Sequence, residues 1–219
     1  MQILIDGQYY DRAGAKISVF DHGLLYGDGV FEGIRIYNGR VFELDAHINR
    51  LYESAHSIAL QIPVPKEEML LRTVETVRRN GLTDGYVRLV VTRGEGDLGL
   101  NPVKCPKASY FIIASTIQLY PAEAYTQGLK IITCSTRRNE HQTINGNIKS
   151  LNYLNNIMAK LEAVDAGVPE ALMLNHVGLV SEATGDNVFL VRRGEVQTPP
   201  VAAGILEGVT RDEVLDICR

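Results

Sequence analysis

Two dipeptides that favour tight turns place the strongest constraint on the fold of this 219-residue chain. Asp6-Gly7 lies between the strand-like runs Ile3-Leu-Ile5 and Gln8-Tyr-Tyr10, and Asn38-Gly39 lies between a second pair of such runs. Dipeptides of this kind form the two-residue turns of β-hairpins, because they tolerate the positive φ that such turns require. The chain therefore predicts antiparallel strand pairs in its first forty residues.

The helical patterns come in blocks instead of alternating with the strands. Asp45 is predicted to cap one amphipathic helix, and residues 66–80 form a second. Two strand-like runs follow, Tyr86–Thr92 and Ser109–Thr116. Strands joined by hairpins, with helices in separate blocks, predict an α+β fold and not a doubly wound parallel sheet.

The pattern restarts near Leu119, which predicts two domains. We expect an N-terminal α+β domain over residues 1–118, a linker over 119–127 and a C-terminal domain over 128–219. The last predicted helix begins near Thr210 and has barely two turns before the chain ends. Since so short an element rarely closes a domain, we expect the C-terminal domain to be incomplete.

Composition narrows the range of functions. The net charge is −4, and no run of lysine or arginine is longer than a pair, which argues against nucleic acid and anionic membranes as partners. No signal peptide and no membrane-spanning run is visible. Three scattered cysteines favour a reducing compartment, so we expect a cytoplasmic protein. The five histidines lack metal-ligand spacing, and we expect no metal site.

A lysine precedes a strongly amphipathic helical pattern. Lys149 is followed by apolar residues at helical spacing, which predicts a helix over 151–166 with these residues on its apolar face. They are Leu151, Leu154, Ile157, Met158 and Leu161. An ammonium at a helix start is disfavoured by the peptide dipole, which would free the amine for Schiff-base chemistry. The alternative is an ordinary solvated lysine.

An arginine lies beside the buried face of the first long helix. Arg50 comes directly before Leu51, a predicted core position. From there a guanidinium could bind a phosphate with two hydrogen bonds. The alternative is an arginine whose alkyl stem simply covers the core.

Two further elements have features suited to binding. Glu182 follows a short strand among small and apolar residues, where a carboxylate could accept a hydrogen bond from a protonated ring nitrogen; the alternative is a solvated strand-end glutamate. Residues 208–210 precede the last helix and could offer backbone N–H groups to an anion. The alternative there is a capping box between Thr210 and Glu213.

In this order the four elements resemble a fold-type IV pyridoxal-phosphate (PLP) enzyme, specifically a branched-chain amino acid aminotransferase. The resemblance runs from Ile3 to the end of the chain. The motifs that carry it are Tyr26-Gly-Asp-Gly-Val-Phe31-Glu-Gly-Ile-Arg35, His47-x-x-Arg50-Leu51, Lys149-Ser-x-Asn-Tyr153-Leu, Glu182-Ala-x-Gly-x-Asn187-x-Phe189 and Leu206-Glu-Gly-Val-Thr210-Arg-Asp.

The resemblance implies a two-domain fold like that of D-amino acid aminotransferase, with PLP as cofactor. It implies that Lys149 bonds the cofactor's aldehyde and moves the substrate proton. Glu182 would pair with the pyridine nitrogen. Arg50 and the backbone of Val209 and Thr210 would hold the phosphate.

The resemblance also implies a substrate pocket. Tyr153 would hydrogen-bond the ring hydroxyl of PLP. Tyr26, supplied by the partner subunit, and Phe31 would line the pocket, and Arg88 would meet the distal carboxylate of glutamate. The implied reaction is ping-pong transamination of leucine, isoleucine and valine with 2-oxoglutarate in a homodimer or larger homo-oligomer.

Alternatives remain open on the sequence alone. A D-amino acid aminotransferase, as the resemblance is usually drawn, carries Arg-x-His where this chain has Arg88-Leu-Val90, and the absent histidine argues against that activity. An aminodeoxychorismate lyase shares the PLP-holding residues. A third alternative is an inactive PLP-binding fragment or oligomerisation partner, because the family normally continues for several tens of residues past Arg219.

Overall fold

The chain folds into two compact units, described here from a computed structural model of residues 1–118 and 120–219. The first unit contains Met1–Gln118 together with Lys149–Leu151. The second contains the described part of Leu119–Ile148 together with Asn152–Arg219. Leu119, the first residue of the predicted linker, lies outside the described residues, and the predicted domain boundaries stay a prediction.

The first unit is built on a six-stranded sheet in the order β2-β1-β6-β5-β3-β4. Every neighbouring pair in it is antiparallel. The strands are β1 (Ile3–Ile5), β2 (Gln8–Tyr10), β3 (Gly29–Tyr37), β4 (Arg40–Val41), β5 (Gly85–Thr92) and β6 (Ser109–Ser115). The central strands β3, β5 and β6 are the most buried, and the α+β prediction is confirmed here.

Both predicted hairpins are confirmed. Asp6 and Gly7 join β1 to β2 with φ of 47° and 87°, and Asn38 and Gly39 join β3 to β4 with φ of 50° and 75°. Two consecutive positive φ values are the signature of a type I′ turn, whose twist matches that of the flanking strands. The turn residues thus set the strand register from local chemistry alone.

Three helices accompany this sheet: α1 (His22–Tyr26), α2 (Leu44–Ser57) and α3 (Lys66–Arg79). Helix α2 packs on β3 through a buried face that includes His47, Ile48 and Leu51. The prediction that Asp45 caps this helix is wrong. Its N-cap is Glu43, so Asp45 lies in the first turn, where its negative charge still favours the helix dipole.

The second unit contains a three-stranded sheet in the order β7-β8-β9. Its strands are β7 (Ile131–Thr133), β8 (Glu170–Leu174) and β9 (Val180–Ala183), and a separate hairpin pairs β10 (Leu190–Arg192) with β11 (Glu195–Gln197). The β7–β8 pair is parallel and the β8–β9 pair antiparallel. The helices are α4 (Ala124–Gln127), α5 (Leu154–Asp165) and α6 (Val209–Ile217).

Helix α5 differs from its prediction in both its start and its buried face. It begins at Leu154 instead of residue 151. The residues that it buries are Asn156, Ala159 and Ala163, because small side chains let the helix approach β8 closely. The larger apolar side chains predicted to face the core lie outward and are about half exposed or more: Leu154, Ile157, Met158 and Leu161.

Candidate active site

The first unit holds the candidate lysine in a segment that pairs with β3 through an isolated bridge, and not at a helix start. The backbone N–H of Phe31 donates to the carbonyl of Lys149 at 3.0 Å, and the N–H of Leu151 donates to Gly29 at 2.9 Å. Residues 149–151 therefore lie beside the start of β3, with a single bridge between Ser150 and Val30. Since α5 begins five residues later, the hypothesis that a helix dipole activates Lys149 is wrong.

The side chain of Lys149 lies over an aromatic ring that it shares with a second cation. Its Nζ is 4.8 Å from the centroid of the Phe31 ring, and the guanidinium carbon of Arg88 is 4.6 Å from the same centroid. Contacts of this kind are attractive because the ring face carries partial negative charge. Three predicted residues, Lys149, Phe31 and Arg88, thus come together in this unit.

A second ring, which the sequence reasoning missed, completes this group. Arg88 also lies 5.4 Å from the ring centroid of Tyr86. A Cβ at Gly33 would overlap the Tyr86 hydroxyl, so the glycine in β3 makes room for this ring. The available signal was Gly33 itself, since a glycine inside a strand indicates close approach by another group.

Tyr26 makes its contacts elsewhere in the first unit. Its hydroxyl donates to the carbonyl of Leu98 at 2.5 Å, and its ring packs edge-on against the buried His22 at 5.0 Å. The hydrogen bond ties α1 to the glycine-rich residues 93–102, whereas the ring contact lies within α1. The structure leaves the substrate role of Tyr26 as a prediction.

Arg50 is held by a buried glutamate that the sequence reasoning did not select. Its Nε donates to Oε1 of Glu32 and one Nη donates to Oε2, both at 2.7 Å, so the two groups form a bidentate pair. Nδ1 of His47 lies 2.7 Å from the same Oε2. An ionised carboxylate only accepts hydrogen bonds, so Nδ1 of His47 carries the proton.

Glu32 is an ionised carboxylate in the interior. The whole residue is 0% exposed. Burial acts to raise its pKa, but hydrogen bonds from His47 and Arg50, together with the charges of Arg50 and Lys149, outweigh burial and hold the pKa below its ordinary value. Glu32 therefore links two predicted residues, Arg50 and Lys149, through charge.

The second unit holds the candidate carboxylate, Glu182, at the end of β9. Nε of Arg138 lies 2.7 Å from its Oε1 as an ion pair. Its Oε2 accepts hydrogen bonds from the side-chain amide of Asn187 at 3.2 Å and from the backbone N–H of Leu206 at 3.0 Å. Glu182 is only 5% exposed, so the alternative of a solvated glutamate is wrong. A cation and two donors favour its ionised form.

Arg138 is a second residue that the sequence reasoning missed. Its guanidinium donates to the Asn156 side chain at 3.1 Å, and Asn156 donates in turn to the carbonyl of Thr184 at 2.8 Å. The backbone N–H of Arg138 donates to Leu174 at 2.9 Å. Contacts with α5 and with the strand β8 thus fix this arginine, and no local pattern around residue 138 indicates that outcome.

The start of α6 carries the predicted backbone anion site. Its N-cap is Gly208, which offers no side-chain acceptor to the N–H groups of Val209 and Thr210. The capping box between Thr210 and Glu213 is wrong, because Thr210 lies inside the helix. A Cβ at residue 208 would overlap Oδ1 of Asn187, so this turn requires glycine. Asn187 thereby connects Glu182 to the helix start.

Tyr153 occupies the N-cap position of α5 and is half-buried. Its carbonyl accepts the hydrogen bond of Ile157 at 2.9 Å, which begins the helix. Tyr153 thus serves as the N-cap of α5. Its role toward a ring hydroxyl stays a prediction.

Within residues 1–118 and 120–219, no group of three histidine, cysteine or acidic side chains could hold a metal ion. No helix in the same described part is long and apolar enough to span a bilayer. The three cysteines are free thiols. The groups available for chemistry are therefore an amine, two buried arginine–glutamate pairs and a helix start.

Comparisons with known proteins identify the family of the chain. A model of the family described as amino-transferase class IV matches residues 29–219. A putative branched-chain-amino-acid aminotransferase of Methanocaldococcus jannaschii is 52% identical over the whole chain, which covers 75% of that protein. A D-alanine aminotransferase of Bacillus licheniformis is 36% identical, again with 100% and 75% coverage.

A solved structure shows the same fold. It is a branched-chain amino acid aminotransferase from T.th. complexed with N-(5'-phosphopyridoxyl)-L-glutamate. It matches 99% of this chain and 72% of its own at a TM-score of 0.92 and 37% identity. The chain spans about three quarters of the length of these relatives. With the family match over residues 29–219, these likenesses show that the chain belongs to the class IV aminotransferases.

Proposed function

We propose that this chain is a PLP-dependent aminotransferase that transfers the amino group of leucine, isoleucine or valine to 2-oxoglutarate. The observation that carries the proposal is the buried Glu182 carboxylate, which lies 2.7 Å from Nε of Arg138 and accepts two hydrogen bonds. A carboxylate held in this way suits a protonated pyridine nitrogen. The 52% identical relative supports the choice of branched-chain substrates.

The donor set fits PLP. The cofactor needs an amine for its aldehyde, cationic and N–H groups for its phosphate, and an acceptor for its ring nitrogen. Lys149, Arg50, the start of α6 and Glu182 are groups of these types. When bound, PLP supplies the electron sink that makes deprotonation at the substrate Cα accessible.

In this proposal, Lys149 and Glu182 control the position of protons. The amine of Lys149 would hold the cofactor by its aldehyde, and as a free amine it would accept the Cα proton of the substrate. Glu182 keeps the proton on the ring nitrogen, because a carboxylate stabilised as an anion by Arg138 does not take that proton for itself.

The remaining residues bind and orient. Arg50 and the N–H groups of Val209 and Thr210 hold the phosphate, since a guanidinium and a helix start both suit an anion. Tyr153 donates to the ring hydroxyl.

Substrate recognition falls to the aromatic group of the first unit. Phe31 offers an apolar face to a branched side chain, and Arg88, stacked on Phe31 and Tyr86, offers its N–H groups to the distal carboxylate of 2-oxoglutarate. We propose that Tyr26 completes this wall from the partner subunit of a homodimer. We also propose a cytoplasmic location, on the composition alone.

A half-reaction screen tests the proposal. Purified protein is incubated with PLP, and then with L-leucine, L-valine, D-alanine or aminodeoxychorismate in separate cuvettes. We expect the absorption of the PLP form to give way to that of the pyridoxamine form with the two L-amino acids. Conversion by D-alanine alone would assign the activity named for the Bacillus relative, and pyruvate release from aminodeoxychorismate would indicate a lyase. A protein that binds PLP and converts none of them would be an inactive binding fragment.

A further inference from the structure

The buried carboxylate of Glu32 is unexpected beside Arg50 if Arg50 binds a phosphate. A carboxylate and a phosphate are both anions, so Glu32 competes with the ligand for the charge of the guanidinium. Glu32 is nevertheless fully buried and takes both Nε and one Nη of Arg50 at 2.7 Å. Taking an ionised carboxylate out of water carries a large desolvation penalty, so its presence at this arginine needs a reason.

The geometry supplies a reason other than charge. A bidentate contact through Nε fixes the plane of the guanidinium, because rotation about the last side-chain bonds breaks both hydrogen bonds. Nδ1 of His47 fixes the carboxylate in turn at 2.7 Å. His47 and Arg50 lie one turn apart on α2, whereas Glu32 lies on β3. The carboxylate therefore locks an arginine of α2 to β3, the strand beside which Lys149 lies.

We propose that Glu32 is a positioning residue, which holds the Arg50 guanidinium in the plane that receives the phosphate of the cofactor. This inference rests on the proposed function. Glu32 touches neither cofactor nor substrate in this role, and acts through Arg50. The gain from a fixed donor plane exceeds the loss from a competing negative charge.

The two effects predict opposite signs, which makes the proposal testable. Glu32→Gln removes the negative charge but retains the shape. If charge competition dominated, the phosphate would bind more tightly to the variant. If positioning dominates, the dissociation constant of PLP rises, by about tenfold or more, as when an outer-shell partner of a ligating residue is removed.

The experiment measures the dissociation constant of PLP by absorbance titration of the apo-protein, and repeats it with pyridoxal, which lacks the phosphate. We expect Glu32→Gln to weaken PLP binding far more than pyridoxal binding, which the variant changes only through the charge that Glu32 exerts on Lys149. Equal losses with both ligands would indicate general damage to the fold, and tighter binding of PLP would indicate charge competition. Either result overturns the proposal.

A double-mutant cycle separates positioning from a merely structural role. If Glu32 acts through Arg50, Glu32→Gln has no further effect on PLP binding in an Arg50→Gln background. Additive losses would overturn the proposal. Glu75→Gln is the matched control, because it breaks an exposed glutamate–arginine pair with Arg79 in the same unit, and we expect unchanged binding.

Two further points keep the outcome decisive. If Glu32→Gln does not fold, Glu32→Asp decides, because it keeps the charge but withdraws the carboxylate by one methylene. A weaker affinity for PLP then supports positioning, and an unchanged affinity overturns it. A wild-type protein that fails to bind PLP would instead refute the proposed function, so the two failures are distinguishable.

Discussion

Each unit of the chain buries a pair of arginine and glutamate, and the two pairs are arranged in opposite senses. In the first unit, Arg50 is the residue proposed to meet the ligand, and Glu32 holds it through two hydrogen bonds. In the second unit, Glu182 is the residue proposed to meet the ligand, and Arg138 holds it through one ion-pair contact. The same pair of residue types thus serves either charge.

The surroundings decide which partner acts. Glu32 is closed off by His47 and by complete burial, so it has no route to a ligand. Oε2 of Glu182 instead accepts a hydrogen bond from the backbone N–H of Leu206, two residues before the glycine that caps α6. A buried ion pair by itself is therefore weak information about function, and the other donors around it carry the distinction.

Glu182→Gln is expected to have the largest effect. The neutral amide cannot keep a proton on the ring nitrogen, so turnover falls about 10²–10³-fold, the loss typical of removing one preorganised electrostatic group. PLP still binds, because its phosphate contacts are intact. The measurement is kcat with L-leucine and 2-oxoglutarate beside a PLP titration. An unchanged kcat would remove Glu182 from the ring-nitrogen role.

Arg50→Gln comes next and acts on binding. It removes a charged donor from the phosphate, and hydrogen bonds to charged groups contribute about 1.5–3 kcal/mol, so the dissociation constant of PLP rises by about tenfold to a hundredfold. Arg79→Gln, at the exposed pair with Glu75, is the control. If the affinity for PLP stays the same while the melting temperature falls, Arg50 is only a structural partner of Glu32.

Arg138→Met tests the holding residue of the second pair. It leaves Glu182 buried without its cation, so the unfolding free energy falls by about 3–5 kcal/mol. The carboxylate then attracts the ring proton more strongly, and kcat falls about tenfold, the size of an outer-shell loss. Arg138→Lys keeps the charge and should recover part of the turnover. The ¹⁵N shift of labelled PLP reports the ring proton directly, and an unchanged shift would contradict this account.

How far the sequence could predict these features depends on how local they are. The hairpin turns at Asp6-Gly7 and Asn38-Gly39 follow from two adjacent residues, and both were predictable. The environment of Lys149 depends on pairing with β3, which no neighbouring residue encodes, and so the helix-dipole hypothesis failed.

The residues that hold Arg50 and Glu182 were also not predictable, because their contacts depend on tertiary packing. Glu32 and Arg50 are 18 residues apart in the chain, and their contact requires α2 to pack on β3. The motifs assign roles to the two proposed ligand-binding residues, Arg50 and Glu182. They contain Glu32 without giving it a role, and Arg138 lies outside all of them. The buried face of α5 was also unpredictable from periodicity, since close approach to β8 favours Ala159 and Ala163 over the larger side chains.

A third guanidinium, Arg88, extends the comparison because aromatic rings hold it instead of a carboxylate. Stacking occupies the face of the guanidinium and leaves its edge suited to a substrate carboxylate. Arg88→Ala should therefore lower kcat/KM several-fold more for 2-oxoglutarate than for 4-methyl-2-oxopentanoate, since an interaction of about 1 kcal/mol is lost with only one of them. Equal losses on both would remove Arg88 from the carboxylate role.

The smallest expected effect concerns the unfolding free energy at low pH. It tests whether the fold stabilises the ionised form of Glu32. Its pKa is held below the ordinary value because His47, Arg50 and Lys149 outweigh the effect of burial. Such a group contributes stability above its unfolded pKa and loses it as the pH falls through the folded pKa. The unfolding free energy of the wild type should therefore fall more steeply than that of Glu32→Gln below about pH 4.5. Urea titrations at several pH values measure both slopes, with Glu75→Gln as the exposed control. Parallel slopes for wild type and Glu32→Gln would mean that the surroundings of Glu32 do not stabilise its charge. Glu32 would then not hold Arg50 as an ionised partner, and the proposed contrast with the pair at Glu182 would fail.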